Sequence, residues 1–102
     1  MSKIAVVGRV RVKEGRADDY LAAFQRLLEQ AEEEPGTLLY PLQRSKHDPH
    51  VFWTSELYAD EAAFELHGSS EVHAAATPVF TEVIADADVI VGEALMGKGL
   101  RA

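Results

Sequence analysis

The segment VFWTSELYADEAAFELHGSS, residues 51–70, decides the fold because it predicts a strand followed directly by a helix. Its first eight residues are rich in aromatic and β-branched side chains, which favour a strand. Asp60 then stands where a helix N-cap is expected, and the helical pattern ends at Gly68. Two ionisable residues, Glu56 and His67, flank this junction and are the best placed for chemistry.

Upstream of this segment, the pattern predicts a strand, a helix and a second strand. Residues 3–12, KIAVVGRVRV, are β-branched and partly alternating, with Gly8 inside the predicted strand. Residues 17–34 carry apolar side chains at helical spacing, and Pro35-Gly36 ends that helix. Residues 37–45, TLLYPLQRS, predict a strand that forms a hairpin with residues 51–58. Pro41 predicts that this strand is an edge strand or carries a bulge.

Downstream, residues 71–84 predict a second helical stretch, capped by Ser70 and kinked or split by Pro78. Asp86-Ala87-Asp88 is interpreted as a turn, and residues 89–96 as the last strand. We expect one domain over residues 1–102, with its core in residues 3–97 and a tail at residues 98–102.

The order of these elements, β-α-β-β-α-β, predicts an α+β fold of the ferredoxin-like, split βαβ type. Its four-stranded antiparallel sheet would carry helices on one face only. The last predicted strand is apolar on both of its faces, with Val89 and Val91 on one and Ile90 on the other. Neither face is suited to water, so we expect two copies to pack sheet to sheet as a homodimer.

Composition limits the classes of partner. The chain has 102 residues, a net charge of −7 and no cysteine. The acidic charge disfavours nucleic acid, and the lack of cysteine excludes disulfides, thiolate metal sites and a cysteine nucleophile. The N-terminal apolar run before Arg9 is too short for a signal sequence or a membrane span. We therefore expect a soluble cytoplasmic protein with no membrane partner.

Several segments occur in an order that resembles the antibiotic biosynthesis monooxygenase (ABM) domain family, including its quinol monooxygenase-like members. They are Glu34-Pro-Gly-Thr-Leu-Leu-Tyr40, Arg44-Ser45, Asp48-Pro49, Glu56-Leu-Tyr-Ala-Asp60, Ala63, His67 and Ser70. The resemblance implies a dimeric α+β barrel and, for some members, cofactor-independent oxygenation of phenolic or quinol-type substrates with O₂. It also includes haem-degrading enzymes, an isomerase and members of unknown activity, so the fold alone does not fix the function.

The haem-degrading branch of this family uses an Asn in strand 1, a Trp in the middle helix and a haem-ligating His in the next helix. The matching positions here are Gly8, His67 or a neighbour, and Thr77, so the Asn and the ligand His are missing. We accordingly expect no haem and no other cofactor. Nor does any histidine pair show helical ligand spacing with a carboxylate, so we expect no metal site.

His67 is the candidate catalytic base, because helical spacing places it inward beside Ala63 and Phe64. The alternative is a structural histidine bonded to a backbone carbonyl or to Glu56. Glu56 shares a strand face with Phe52, Thr54 and Tyr58, and it is the candidate orienting acid for His67. Its alternative is a buried ion pair with Arg44 or Arg9.

The candidate substrate-binding residues form the floor and walls of an aromatic pocket beneath the helices: Gly8, Tyr40, Tyr58, Phe64, His73 and Phe80. Gly8 would leave room at the floor, or else mark a bulge or a close helix contact. Trp53 points to the opposite face and is assigned to the core or the dimer interface. The run Glu32-Glu33-Glu34 is interpreted as a solvated helix end.

The leading hypothesis is thus a monooxygenase that oxidises a small aromatic quinol or phenol with O₂. The alternatives are an isomerase-like relative, a binder of a small carbonyl compound, and a non-catalytic dimer module.

Overall fold

The computed structural model describes residues 2–100 and contains five strands and three helices. In chain order they are β1 (Ile4–Val12), α1 (Ala17–Glu32), β2 (Thr37–Leu39), β3 (Leu42–Arg44), β4 (Val51–Tyr58), α2 (Glu61–Gly68), α3 (Glu71–Val83) and β5 (Ile84–Glu93). The last two residues of the predicted tail lie outside the described residues. None of the helices in the described part of the chain is long and apolar enough to cross a membrane.

The strands form one antiparallel sheet in the order β2-β4-β1-β5, with β3 also paired to β4. This is the ferredoxin-like α+β fold that the sequence predicts. The predicted strand 37–45 is divided into β2 and β3 at Tyr40-Pro41, as the missing N–H of Pro41 leads one to expect. Both short pieces pair with β4, so the hairpin is confirmed.

The sheet has an inner face beneath the helices and an outer face. On β4 the even-numbered residues point inward, and the buried ones include Phe52 and Tyr58. Trp53 is on the outer face, as strand alternation predicts, and is half-buried. All four residues that give α1 its predicted helical stripe are buried: Tyr20, Phe24, Leu27 and Ala31. Tyr20 packs against Phe52 on the inner face of the sheet.

Helices α2 and α3 begin at the predicted caps. The Asp60 carboxylate accepts a hydrogen bond from the Ala63 N–H at 2.8 Å, and the Ser70 hydroxyl accepts one from the His73 N–H at 3.1 Å. Helix α3 continues through Pro78 without ending. Because the two caps are ten residues apart, α2 is short and its last turn, with His67, lies next to the first turn of α3.

The last predicted strand is present, but its bounds and the turn predicted before it were wrong. Asp86 and Asp88 do not form a turn, because β5 includes both of them and ends at Glu93. The reason is electrostatic: the guanidinium of Arg9 on β1 bonds Asp88 at 2.7 Å and Asp86 at 2.6 Å across the strand pair. Opposite charges on neighbouring strands thus outweigh the low strand propensity of aspartate. The predicted strand extends to Met96, but Leu95 and Met96 follow β5 and are exposed.

A close contact joins the α1–β2 turn to α2. A Cβ atom on Gly36 would stand 2.5 Å from the Cβ of Ala63, and the Gly36 carbonyl accepts a hydrogen bond from the Ala59 N–H at 2.9 Å. Only a residue without a side chain lets the two segments approach so closely. This contact sets the position of α2 over the turn that carries Glu34.

We expect Gly36→Ala to lower the free energy of unfolding by about 1–3 kcal/mol, because the added methyl group overpacks the contact with Ala63. Urea unfolding followed by circular dichroism measures the change. The matched control is Gly68→Ala at the end of α2, where an added Cβ meets nothing within 4 Å. Equal stability of the Gly36 variant and wild type would show that the contact does not limit the approach of α2.

Candidate active site

His67 lies in the last turn of α2 and points inward, with only 4% of its surface exposed. Its imidazole contacts the rings of Tyr40 and Tyr58, with centroids at 4.7 and 5.4 Å. Two neighbours from the same helix, Ala63 and Phe64, pack with Tyr58 and the β1 residues of the inner face. The inward orientation that helical spacing predicts for His67 is therefore present.

The partner of His67 is a buried carboxylate from another part of the chain. Nδ1 of His67 lies 2.8 Å from Oε1 of Glu34, in the turn between α1 and β2. The same oxygen accepts a hydrogen bond from the Thr37 hydroxyl at 2.9 Å, and Gln30 contacts the other oxygen at 3.4 Å. Glu34 is 7% exposed, so this carboxylate is held by protein donors in place of water.

Glu34 remains ionised in this setting. Burial raises the pKa of its carboxyl, but the hydrogen bonds from His67 and Thr37 outweigh burial and leave the pKa below its ordinary value. An ionised carboxylate only accepts hydrogen bonds, so Nδ1 of His67 must carry the proton that it donates. In neutral His67 the lone pair then lies on Nε2, and the ring has the tautomer of a general base.

This arrangement corrects two expectations. Glu34 is not a solvated helix end: α1 stops at Glu32, and the chain turns so that Glu34 points inward while Glu33 stays exposed. Nor does Glu56 hold the Nδ1 atom of His67, because Glu34 occupies that position. The sequence contains one signal that Glu34 lies outside the helix. Glu34 precedes Pro35, and a residue before proline tends to leave the helical conformation.

Glu56 is a second carboxylate on the inner face, half-buried in the middle of β4. It accepts hydrogen bonds from the Thr54 hydroxyl at 2.6 Å and from the Tyr58 hydroxyl at 2.5 Å. The alternative of an ion pair with Arg9 or Arg44 was wrong: in the described part of the chain no arginine or lysine lies within ion-pair distance of Glu56.

The charge of Glu56 acts on the surrounding phenols. Burial first, and then the nearby Glu56 carboxylate, raise the pKa of Tyr20 to about 12. The same two causes raise the pKa of Tyr40 and Tyr58, and Tyr58 also loses its proton less readily because it donates to Glu56. These tyrosines therefore stay neutral at physiological pH, and the Tyr58 hydroxyl donates to Glu56.

His73 is the fourth ring of this group. It lies in the first turn of α3 with its ring centroid 5.7 Å from that of His67, and it is half-buried. Burial, followed by the neighbouring His67, lowers the pKa of His73, which favours its neutral form.

Not every predicted wall residue lies at His67. The rings of Tyr40, Tyr58 and His73 contact the imidazole of His67. Phe64 contacts Tyr58, with their ring centroids 5.3 Å apart. Phe80 instead packs against Tyr20 in the core between the helices and the sheet, with their ring centroids 5.4 Å apart.

The inner face of the sheet is open next to Glu56. Gly8 of β1 pairs with Thr54 on one side and with Val89 of β5 on the other. Among residues 2–100, apart from its chain neighbours, a Cβ on Gly8 would meet two atoms within 4 Å, Oγ1 of Thr54 at 3.1 Å and Oε2 of Glu56 at 4.0 Å. Val89 and Val91, on the same face of β5, are 67% and 52% exposed. Gly8 thus forms the floor of an uncovered space beside a carboxylate.

One cavity lies away from these residues. A groove of about 860 Å³ runs between α1 and α3, with alanines and valines at its floor and charged residues at its rim, and none of the predicted site residues lines it. Among residues 2–100, no group of three or more His, Asp or Glu side chains converges as a metal site.

The Glu34–His67 pair generates a prediction about stability and pH. We expect Glu34→Gln to lower the free energy of unfolding by about 1.5–3 kcal/mol at neutral pH, since it removes charge-assisted hydrogen bonds. The pKa of Glu34 is lower in the folded state, so its contribution is present above its ordinary pKa of about 4.5 and is lost on acidification below that value. Chemical unfolding at pH 7 and pH 3.5 measures both effects.

The matched control is Glu33→Gln, which removes an exposed carboxylate one residue away and should change stability by less than about 0.5 kcal/mol. If the Glu34 variant and this control had the same stability at both pH values, the buried pair would not contribute as described.

The chain resembles known proteins in both sequence and fold. The family model described as antibiotic biosynthesis monooxygenase matches residues 3–78. A candidate antibiotic biosynthesis monooxygenase from Caulobacter crescentus is 29% identical in sequence, and its crystal structure superposes with a TM-score of 0.87 over 93% of this chain and 92% of that chain. A protein of Pseudomonas aeruginosa, 21% identical, shares the fold with a TM-score of 0.85 over 94% of this chain and 97% of its own.

An uncharacterised protein of Synechocystis is 26% identical over 81 residues, which cover 79% of this chain. The chain spans about half the length of that relative, since the match covers 50% of it. The family match and the shared fold lead to one conclusion: the chain belongs to the antibiotic biosynthesis monooxygenase family.

Proposed function

We propose that this protein is a cofactor-independent monooxygenase that oxidises a small phenol or quinol-type aromatic compound with O₂. Membership of the family supports a monooxygenase-like role in general. The more specific proposal rests on one observation, the hydrogen bond between Nδ1 of His67 and the buried carboxylate of Glu34.

In this proposal His67 is the base and Glu34 its orienting acid. With Nδ1–H bound to Glu34, Nε2 is the atom that takes the proton of the substrate hydroxyl. The Glu34 carboxylate then stabilises the imidazolium that forms, at a distance of 2.8 Å. The sequence favours Glu56 as the orienting residue. In this proposal Glu34 has that role, and Glu56 lies at the pocket floor beside Gly8.

The oxidation needs no electrons from outside the substrate. Loss of the hydroxyl proton gives an electron-rich phenolate, which passes one electron to O₂, and the two radicals join to form a carbon–oxygen bond. The peroxide O–O bond then breaks, one oxygen stays on the ring as a carbonyl, and the other leaves as water with the two hydrogens that the substrate lost. Phenol and O₂ thus give quinone and water.

The aromatic residues supply a binding surface for a planar ring. Tyr40 and His73 are only half-buried, and in this proposal the substrate approaches the imidazole of His67 from their side. Tyr58 and Phe64 form the wall beneath α2. The neutral Tyr40 hydroxyl can donate a hydrogen bond to the phenolate, since that of Tyr58 already donates to Glu56, and the apolar rings limit access of water to the radical pair.

The same proposal includes a homodimer formed through the outer face of the sheet. In the single chain this face carries apolar residues that are not buried: Ala5, Val7, Trp53, Leu57 and Ile90. Ile90 of β5 lies beside Val7 of β1 and is 71% exposed. An apolar sheet face of this kind is usually covered by another layer, and a second copy of the chain provides one.

O₂ consumption with a panel of hydroquinones, in buffer treated with a metal chelator, tests the reaction. We expect turnover by wild type and a fall in kcat of about 100-fold or more in His67→Ala, because the general base is lost. Glu34→Gln should lower kcat less, since the base is present but poorly oriented. The control His47→Ala removes an exposed histidine from the β3–β4 turn.

Two results would contradict the mechanism: wild type that oxidises no member of the panel, or a His67 variant as fast as wild type. Binding of the aromatic compounds without O₂ consumption would favour the non-oxygenase alternative, an isomerase-like enzyme or a small-molecule binder.

Sedimentation velocity tests the dimer. We expect wild type to sediment as a dimer and Ile90→Lys as a monomer, because a charge buried within an apolar interface is costly. Leu66→Lys is the matched control, since Leu66 is 61% exposed on α2, away from the sheet. A monomeric wild type, or an unchanged dimer in the Ile90 variant, would place the interface elsewhere.

A further inference from the structure

The space above Gly8 has one polar boundary and one apolar boundary. In the described part of the chain, apart from the chain neighbours of Gly8, only Oγ1 of Thr54 and Oε2 of Glu56 lie within 4 Å of a Cβ placed on Gly8. On the other side, Val89 and Val91 of β5 present exposed side chains to the same face of the sheet. The polar boundary is therefore a carboxylate and its hydrogen-bonded hydroxyl, and the apolar boundary fits the flank of a ring.

The carboxylate of Glu56 retains capacity to bind a ligand. It accepts one hydrogen bond on each oxygen, from Thr54 and from Tyr58, whereas a carboxylate has room for about four. It is half-buried, and its Oε2 lies 4.0 Å from the position of a Cβ on Gly8. A group bound there would have to donate a hydrogen bond, because an ionised carboxylate cannot.

Among residues 2–100, no arginine or lysine forms an ion pair with Glu56. The guanidinium of Arg9 lies on the outer face of the sheet and is bound to Asp86 and Asp88. Arg44 lies over the ring of Phe52, 5.0 Å from its centroid, at the far end of β4. With Glu34 also ionised beneath α2, the inner face carries two carboxylates around the same group of rings.

We propose that the space above Gly8 is a subsite for a hydroxyl or amino substituent of the aromatic ligand, with Glu56 as its acceptor, and that the site selects uncharged or cationic rings and rejects carboxylated ones. The proposal rests on the proposed function only for the aromatic nature of the ligand. Its physical basis is that a ligand carboxylate at hydrogen-bond distance from Glu56 would face a like charge in a partly desolvated site, where such repulsion is strong. A hydroxyl or amino group there gains a charge-assisted hydrogen bond.

Two phenols of similar size test whether the site prefers a neutral ligand to an anionic one, and the test requires no oxidation. The pair is 4-hydroxybenzyl alcohol, which is neutral, and 4-hydroxybenzoate, which is an anion at pH 7.5. Each is titrated into the intact protein, and binding is followed by chemical-shift changes in NMR spectra. We expect wild type to bind the neutral phenol at least about ten-fold more tightly than the anion.

Two variants test the subsite, and one serves as control. Glu56→Gln keeps a side chain of the same shape without the charge, so the preference should fall to about three-fold or less. Gly8→Ala places a methyl group 4.0 Å from Oε2 of Glu56 and should weaken binding of the neutral phenol. Glu33→Gln removes one exposed negative charge away from the site and should keep the wild-type preference.

The outcomes separate this inference from the proposed oxygenation. Equal binding of the two phenols by wild type, an unchanged preference in Glu56→Gln, or no binding of either phenol would overturn the subsite, even if hydroquinones are oxidised. A preference that disappears in Glu56→Gln supports the subsite, even if no O₂ is consumed, and in that case only the oxygenase proposal fails.

Discussion

The hydrogen bond between His67 and Glu34 is the constraint on which the site depends. It joins two residues that lie 33 positions apart and belong to different elements, the last turn of α2 and the turn after α1. A buried carboxylate without donors would cost several kcal/mol, so the pair is stable only as a unit together with the hydroxyl of Thr37. Gly36 makes the unit possible, because it allows α2 to approach this turn closely enough for the imidazole to reach the carboxylate.

The position of His67 in turn orders the rings around it. Tyr40 follows β2, Tyr58 ends β4 and His73 begins α3, so three elements present a ring to one imidazole. The split between α2 and α3 contributes to this arrangement, since it brings His67 at the end of one helix and His73 at the start of the next into T-shaped contact. Local caps at Asp60 and Ser70 therefore contribute directly to the geometry of the candidate site.

Sequence patterns predict the parts of this structure that local periodicity controls. The strand at residues 51–58, the buried stripe of α1 and the inward orientation of His67 follow from spacing alone, and the structure confirms them. The errors have a common cause, since each depends on a partner distant in the chain. Asp86 and Asp88 are in a strand because Arg9 lies opposite them, and Glu34 is buried because α2 supplies His67 as its donor. Spacing within one element carries no information about such partners.

The two carboxylates of the inner face, Glu34 and Glu56, differ in burial and in hydrogen-bond partners, and they can therefore have different chemical roles. Glu34 is almost fully buried, with both oxygens in contact with protein donors, so it can act on a ligand only through His67. Glu56 is half-buried beside the open floor at Gly8 and has unused acceptor capacity, so it can act on a ligand directly. Pairs of titratable groups in unlike environments are a common basis for separate roles in one site. The two roles therefore follow from the partners of each carboxylate: Glu34 binds His67, whereas Glu56 binds only the hydroxyls of Thr54 and Tyr58 in the described part of the chain.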